Sequence, residues 1–307
     1  MAEYHSGFAC VVGRPNVGKS TLVNTLIGQD VAITSPTPQT TRHSIRGIVS
    51  QPDRQLVLVD TPGLHKPRTV LGKRLNELVR ETWATVDVLV MCVPADQRVG
   101  PGDCFIASQL GRSAARGAAT VAVVTKTDLA DRDRTAEQLL EVSGLSEQIG
   151  RDWTEIIPVS VRSGENVETL KQVLLGLLPV GPQLYPEDEI TDEPTATFIA
   201  EAIRHAAMQE MHDELPHSLA VQVESVTPRA DRPETDPLTD VEATIFVERD
   251  SQKPIVLGRK GAGIRRIGTQ ARERIEPLLG TRVYLDLRVK VAKDWQKDPK
   301  QLRRLGF

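Results

Sequence analysis

Eight consecutive residues, Gly13-Arg14-Pro15-Asn16-Val17-Gly18-Lys19-Ser20, follow the spacing Gly-x-x-x-x-Gly-Lys-Ser/Thr. That spacing suits one task, cradling a nucleotide triphosphate. The glycines let successive backbone N–H groups turn inward at a helix N-terminus, where aligned peptide dipoles favour negative charge. Lys19 then meets the β- and γ-phosphates, and the Ser20 hydroxyl is a Mg²⁺ ligand; Thr21 closes the nucleotide-binding run. Further along, Asp60-Thr61-Pro62-Gly63 ends an apolar stretch. An acid at the end of a buried strand can hold Mg²⁺ while the glycine offers its amide to the γ-phosphate. Thr125-Lys126-Thr127-Asp128 ends another such stretch. The Asp128 carboxylate can accept hydrogen bonds from N1–H and the 2-amino group of guanine, which adenine cannot offer. Far downstream stands Gly258-Arg259-Lys260-Gly261. A glycine pair at that spacing can cap a helix, and it can also clamp a single-stranded RNA backbone.

The surrounding pattern supplies the elements these residues need. Phe8 to Val12 reads as a buried strand and Thr21 to Ile27 as the opening of a helix, the strand-loop-helix setting of a phosphate loop. Val31 to Arg42 is polar and broken by prolines, so a loop is expected there. Strands are expected at 44–50 and 55–60, joined by a tight turn, and then at 86–93, 120–124 and 155–159. Helices are expected at 71–85, 103–110, 134–148 and 167–178. Strands alternating with helices after a phosphate loop predict a doubly wound α/β sheet with the ligand at the strand carboxyl ends, over residues 1–178. Prolines mixed with acidic residues mark 179–197 as a linker. From 198 to 307 the expected order is helix, strand, strand, helix, glycine hinge, helix, strand, an α+β arrangement matching a type II KH domain.

Composition narrows the classes. Charged residues make up 26% of the 307 and apolar residues 39%, as in a water-soluble globular chain. No apolar run approaches the ~20 residues of a membrane span, and no basic-then-apolar leader opens the sequence, so a cytoplasmic protein is expected. Cys10, Cys92 and Cys104 have neither paired nor metal-site spacing, which argues for reduced thiols. The net charge of −3 conceals a division: residues 251–307 hold 15 Lys/Arg against 5 Asp/Glu, a local +10. Basic charge around the Gly-x-x-Gly favours RNA over a mere helix cap.

With these residues in view, the chain resembles the Era family of bacterial GTPases, a Ras-like G domain followed by a KH domain. The resemblance is carried by Gly13 to Ser20, by 39–43 in an effector loop, and by Asp60 to Lys66. It continues through 185–188, Thr191-Asp192, 247–249, Val256 to Gly261, and Trp295 to Gly306. It implies GTP hydrolysis to GDP, with a slow intrinsic rate, coupled to 30S subunit assembly and rRNA maturation. The KH domain would hold the 3′ region of small-subunit (16S) rRNA. It also implies peripheral membrane contact of a monomer, although no amphipathic anchor is evident. Carried onto this chain, Lys19, Thr40 and Gly63 are the catalytic positions, and Ser20, Thr40 and Asp60 hold Mg²⁺, with Thr41 a substitute for Thr40. Asn16 is a candidate K⁺ ligand. Two departures stand out: Thr125 replaces the usual asparagine of the guanine motif, and Val161 follows Ser160 where alanine is usual, its amide still facing guanine O6. Leu64 occupies the position where Ras-type enzymes keep a water-orienting glutamine. A rival reading is an RNA-binding scaffold whose nucleotide domain senses GTP with little turnover.

Overall fold

Side chains alternate in the central strands, and both faces of those strands are apolar. In β1 (His5–Val12), Ala9 and Val11 join one core cluster while Cys10 and Val12 join another. A strand buried on both sides must be covered twice, which requires helices above and below the sheet. The computed structural model describes residues 3–34, 44–64, 67, 69–115, 117–211, 218–233 and 235–307. After β1 come α1 (Lys19–Ile27), β2 (Ile45–Gln51), β3 (Arg54–Asp60), α2 (Val70–Trp83), β4 (Val88–Pro94) and α3 (Pro101–Ser113). Then follow β5 (Ala119–Thr125), α4 (Arg132–Ser143), α5 (Ser146–Ile149), β6 (Glu155–Val159) and α6 (Val167–Gly176). The sheet order is β2-β3-β1-β4-β5-β6, parallel except for β2, which pairs antiparallel with β3.

Leu22, Val23 and Leu26 of α1 share a cluster with Leu170 and Leu174 of α6, so these helices cover one face. Trp83 of α2, Ile106 and Leu110 of α3, and Val142 of α4 cover the other. Each fully buried apolar side chain of this kind contributes about 1.5–3 kcal/mol relative to exposure. The doubly wound architecture is therefore as the sequence predicts. Two element bounds differ for identifiable reasons. Helix α3 starts earlier than expected because Pro101 fits its first turn and the Asp103 carboxylate accepts from the Gly100 amide. The stretch 134–148 is two helices, parted at Gly144.

The chain divides into two compact units, 1–66 with 75–192, and 67–74 with 193–307. The linker reading of 179–197 therefore needs revision for its first part, because 179–192 is a strap on the first unit. Ser6 donates its amide to Pro179 O, Gly181 to Tyr4 O, and Ile48 to Ile190 O. Gln55, fully buried, accepts from the amides of Leu184 and Tyr185 on Oε1 and donates from Nε2 to Tyr185 O. Asp192 takes hydrogen bonds from Arg46 and from the Tyr185 hydroxyl.

The second unit contains α7 (Thr195–Gln209), β7 (Ala220–Pro228), β8 (Leu238–Val247), α8 (Lys253–Leu257), α9 (Ala262–Leu279), β9 (Arg282–Val291) and α10 (Pro299–Arg304). Its sheet runs β7-β8-β9, antiparallel then parallel. Trp295, fully buried, donates to Ser218 O and stacks on Phe307. Among the described residues no helix is long and apolar enough to cross a membrane.

Gln55→Ala should strip the strap of three hydrogen bonds at once. Leaving those backbone groups unmatched is expected to lower stability by about 1–3 kcal/mol, read from urea unfolding of the full chain. A variant with the wild-type midpoint would show that the strap contributes nothing.

Candidate functional site

The parallel register brings the ends of β1, β3, β4, β5 and β6 to one edge of the sheet, with Val11 beside Asp60 and Thr125 beside Val159. The phosphate loop, Asp60-Thr61-Pro62-Gly63 and Thr125-Lys126-Thr127-Asp128 all lie on that edge. The phosphate loop connects β1 to α1 through three residues of positive φ: Gly13 at 151°, Asn16 at 64° and Gly18 at 97°. Gly13 has no substitute, since a Cβ there would lie 2.6 Å from Cys92 O. Lys19 is 8% exposed and donates from Nζ to Arg14 O at 2.9 Å. Burial pulls its pKa down, with the neighbouring Asp60 opposing. A buried ammonium next to turned-in amides is suited to an arriving polyanion, whose charge offsets the desolvation.

Ser20 donates from Oγ to Asp60 Oδ2 at 2.6 Å, and Asp60 is fully buried. The sequence thus pairs the two expected Mg²⁺ residues across 40 positions. Among the described residues no group of three or more His, Cys, Asp or Glu could hold a metal by itself. Mg²⁺ usually takes one or two protein oxygens and completes its shell with phosphates and water, and Ser20 and Asp60 offer two adjacent oxygens. The donor set therefore fits the ion. Thr61 is buried, its hydroxyl 3.7 Å from Cys10 Sγ. Burial pushes the thiols of Cys10 and Cys92 up to about 12, so both stay protonated beneath the loop. Gly63 faces Pro15, its Cβ position 3.6 Å from the ring. Leu64 is buried in the core cluster of Trp83 and Val79, so its side chain is unavailable to orient water. Thr40 and Thr41 lie outside the described residues.

At the end of β5 the departure from the usual asparagine acquires a role. Thr125 is 3% exposed and donates from Oγ1 to Val17 O at 2.7 Å. Lys126, at φ 57°, donates from Nζ to Asn16 O at 2.7 Å. Thr125 and Lys126 thus fasten the phosphate loop from outside. Asp128 is exposed, and one of its oxygens accepts from Ser160 Oγ at 2.7 Å, which orients the carboxylate. Thr127 is buried and bonds Glu165. Val161 is half-buried and packs on the core beside Ile157, away from a solvent-facing role. Arg14 differs from the rest of its motif: its side chain leaves the loop and reaches Asp103 Oδ1 at 2.8 Å and Gln97. Sequence reading missed Asp103, although Pro-Gly-Asp at a helix start is a legible first-turn pattern.

In the second unit the hinge lies between α8 and α9, with Gly258 at φ 67°, Lys260 at 50° and Gly261 at 76°. A Cβ on Gly258 would lie 2.5 Å from Gly263 N, so the two helices meet too closely for any side chain there. Arg259 and Lys260 are exposed at the tip. A shallow depression beside them is lined by Ala262, Arg265, Arg266, Thr269 and Gln270. Arg266 and Gln270 both bond Glu210, the residue that follows α7, which leaves Arg265 the less encumbered cation of the two arginines.

Residues 8–126 match the family described as 50S ribosome-binding GTPase, and residues 214–296 match the KH domain family. GTPase Era of Streptomyces coelicolor is 57% identical over 304 residues, covering 99% of this chain and 95% of that protein. GTPase Era of Mycobacterium tuberculosis is 57% identical over 307 residues, the whole of both chains. A crystal structure of Era in complex with MgGDPNP and nucleotides 1506–1542 of 16S ribosomal RNA superposes with a TM-score of 0.90 at 33% identity, over 99% of each chain.

Replacing Thr125 with Val keeps the shape and deletes the tie to the loop. Affinity for a fluorescent GDP is expected to fall about 5–30-fold, the equivalent of a lost buried hydrogen bond, while Thr125→Ser stays near wild type. Equal affinity of the Val and Ser variants would remove the hydroxyl from the account.

Proposed function

The chain belongs to the Era family and is a GTPase carrying a C-terminal KH domain; on that footing we propose that it couples GTP hydrolysis to holding the 3′ region of 16S rRNA during 30S subunit assembly and rRNA maturation. The observation that carries the reading is the meeting, at one sheet edge, of the phosphate loop, the Ser20–Asp60 pair and the guanine-facing Asp128. The exposed Arg259 and Lys260 of the hinge supply the RNA contact in the same chain. The proposal extends to a cytoplasmic monomer with weak peripheral membrane contact.

Catalysis here is positioning and charge neutralisation around an in-line attack of water on the γ-phosphate. Lys19 and the amides of 13–20 receive the phosphate oxygens, and the Gly63 amide faces the transferred group. Ser20 and Thr40 would hold Mg²⁺, with Asp60 acting on it through water, and the ion would supply neutralisation of phosphate charge. Asp128 reads the guanine edge, and the Ser160-Val161 backbone lies at O6. With Leu64 buried, no side chain at its position orients the water, so intrinsic turnover is slow. Stimulation is supplied by RNA, by a ribosomal partner, or by K⁺ bound through Asn16.

The coupled function is tested by single-turnover GTP hydrolysis with and without an RNA spanning the 3′ end of 16S rRNA. Acceleration by that RNA supports it; binding without hydrolysis in either condition leaves only a GTP-sensing scaffold. K⁺ in place of Na⁺ at constant ionic strength should speed hydrolysis, and Asn16→Ala should erase the difference. Equal wild-type rates in the two salts would end the K⁺ assignment.

RNA affinity should fall with salt. Replacing Arg259 and Lys260 with Ala removes two phosphate contacts and should flatten the slope of log K against log salt by roughly 1.4, at about 0.7 per contact. A wild-type slope in the double variant would reduce the hinge to a helix cap.

A further inference from the structure

Arg14 lies inside the phosphate loop, yet its guanidinium is directed out of it. Its Nε donates to Asp103 Oδ1 at 2.8 Å and its Nη2 to Gln97 Oε1 at 3.2 Å. Asp103 is fully buried in the first turn of α3, where its other oxygen accepts from the Gly100 amide at 3.0 Å. Space for the arginine stem is reserved by Gly102, on which a Cβ would stand 2.7 Å from Arg14 Cδ. The segment beneath Gln97 is itself fastened from α4. Gln138, fully buried, donates to Pro94 O at 3.0 Å, and Glu141 accepts from the Val99 amide at 2.9 Å. Arg134 adds a bond to Gln97 O.

The link to chemistry is the Arg14 peptide. Its carbonyl accepts from Lys19 Nζ, the cation of the triphosphate cradle, at 2.9 Å. An arginine whose fork is committed to a buried carboxylate is not aimed at phosphate, and a carboxylate buried in α3 needs that cation. We infer that Asp103 is a positioning residue for the nucleotide site, acting through Arg14 to fix the phosphate loop and the Lys19 ammonium before ligand arrives. This rests on the reading of that site as a GTPase site, and it adds α3 to the parts that build it. Thr125 and Lys126 hold the distal half of the loop at the Val17 and Asn16 carbonyls, and the Asp103–Arg14 pair holds the proximal half. Pre-set loop geometry serves ground state and transition state alike. Its loss therefore acts on binding of GDP and GTP more than on turnover at saturation.

The test uses Arg14→Ala, Asp103→Asn and the double variant in the full-length protein. Arg14→Ala leaves Asp103 free to cap α3. Asp103→Asn keeps one acceptor oxygen, which cannot serve both Gly100 and Arg14. Each single variant is expected to weaken GDP binding about tenfold, and in Asp103→Asn the KM for GTP is expected to rise more than kcat falls. The double variant should be no weaker than the weaker single, because both remove one interaction. Arg14→Lys should recover part of the affinity. GDP affinity unchanged in variants that melt earlier would make the pair a stabilising contact only and overturn the inference. A fall in kcat with KM unchanged would overturn it too, by making Arg14 a catalytic group. If wild-type protein binds GDP but never hydrolyses GTP, the functional reading fails while the affinity comparison still judges the pair.

Discussion

A phosphate cradle must present bare amides before its ligand arrives, so the loop that forms it cannot satisfy itself. Here that constraint falls on residues 13–18, half of which have positive φ, one of them an asparagine. Left-handed backbone at a residue with a Cβ costs on the order of 1–2 kcal/mol, which the surrounding structure must offset. It does so with side chains from elsewhere in the fold. Thr125 and Lys126 grip the Val17 and Asn16 carbonyls, Arg14 is anchored on Asp103, and Lys19 closes on the Arg14 carbonyl. These ties come from the ends of β5 and the start of α3, both set in place by a sheet buried on two faces. The order of dependence is thus core, strand ends, loop ties, amide cradle.

Much of this was legible in the sequence, because the motifs are local. A phosphate loop, an acid ending a strand and the Thr125-Lys126-Thr127-Asp128 tetrapeptide each stand out within eight residues. Apolar runs with period two or without period placed the strands to within a few residues, and the alternation with helices gave the doubly wound class. The ties were not legible, since they join positions far apart: Thr125 lies 108 residues from Val17, and Asp103 lies 89 from Arg14. Sequence reading marked Thr125 only as a departure from the asparagine usual in the guanine motif. The structure instead commits its hydroxyl to the loop.

The strap escaped for another reason. Pro179 to Asp192 lacks periodicity, and proline-rich acidic sequence reads as linker when its partners are unknown. Its backbone groups are satisfied by Tyr4, Ser6 and Ile48, and above all by the side-chain amide of Gln55. Nothing in the isolated strand sequence marks Gln55, a polar residue in an apolar run, as the socket. A buried amide serving three backbone groups is the sort of residue that pattern reading takes for surface. In the second unit the glycine hinge was legible by spacing, and the structure supplies its reason: Gly258 and Gly263 let α8 and α9 meet backbone to backbone.

The account's central claim is that the first unit reads guanine at Asp128, whose carboxylate stands exposed beside the cradle and is held by Ser160. The most direct measurement is the ratio of GTP to XTP affinity in wild type and in Asp128→Asn. Xanthine presents an oxygen where guanine has its 2-amino group, so the amide should invert the preference by converting an acceptor to a donor. Inverted preference with retained fold is the predicted result. Wild-type GTP affinity in the asparagine variant would contradict the claim and remove Asp128 from the site.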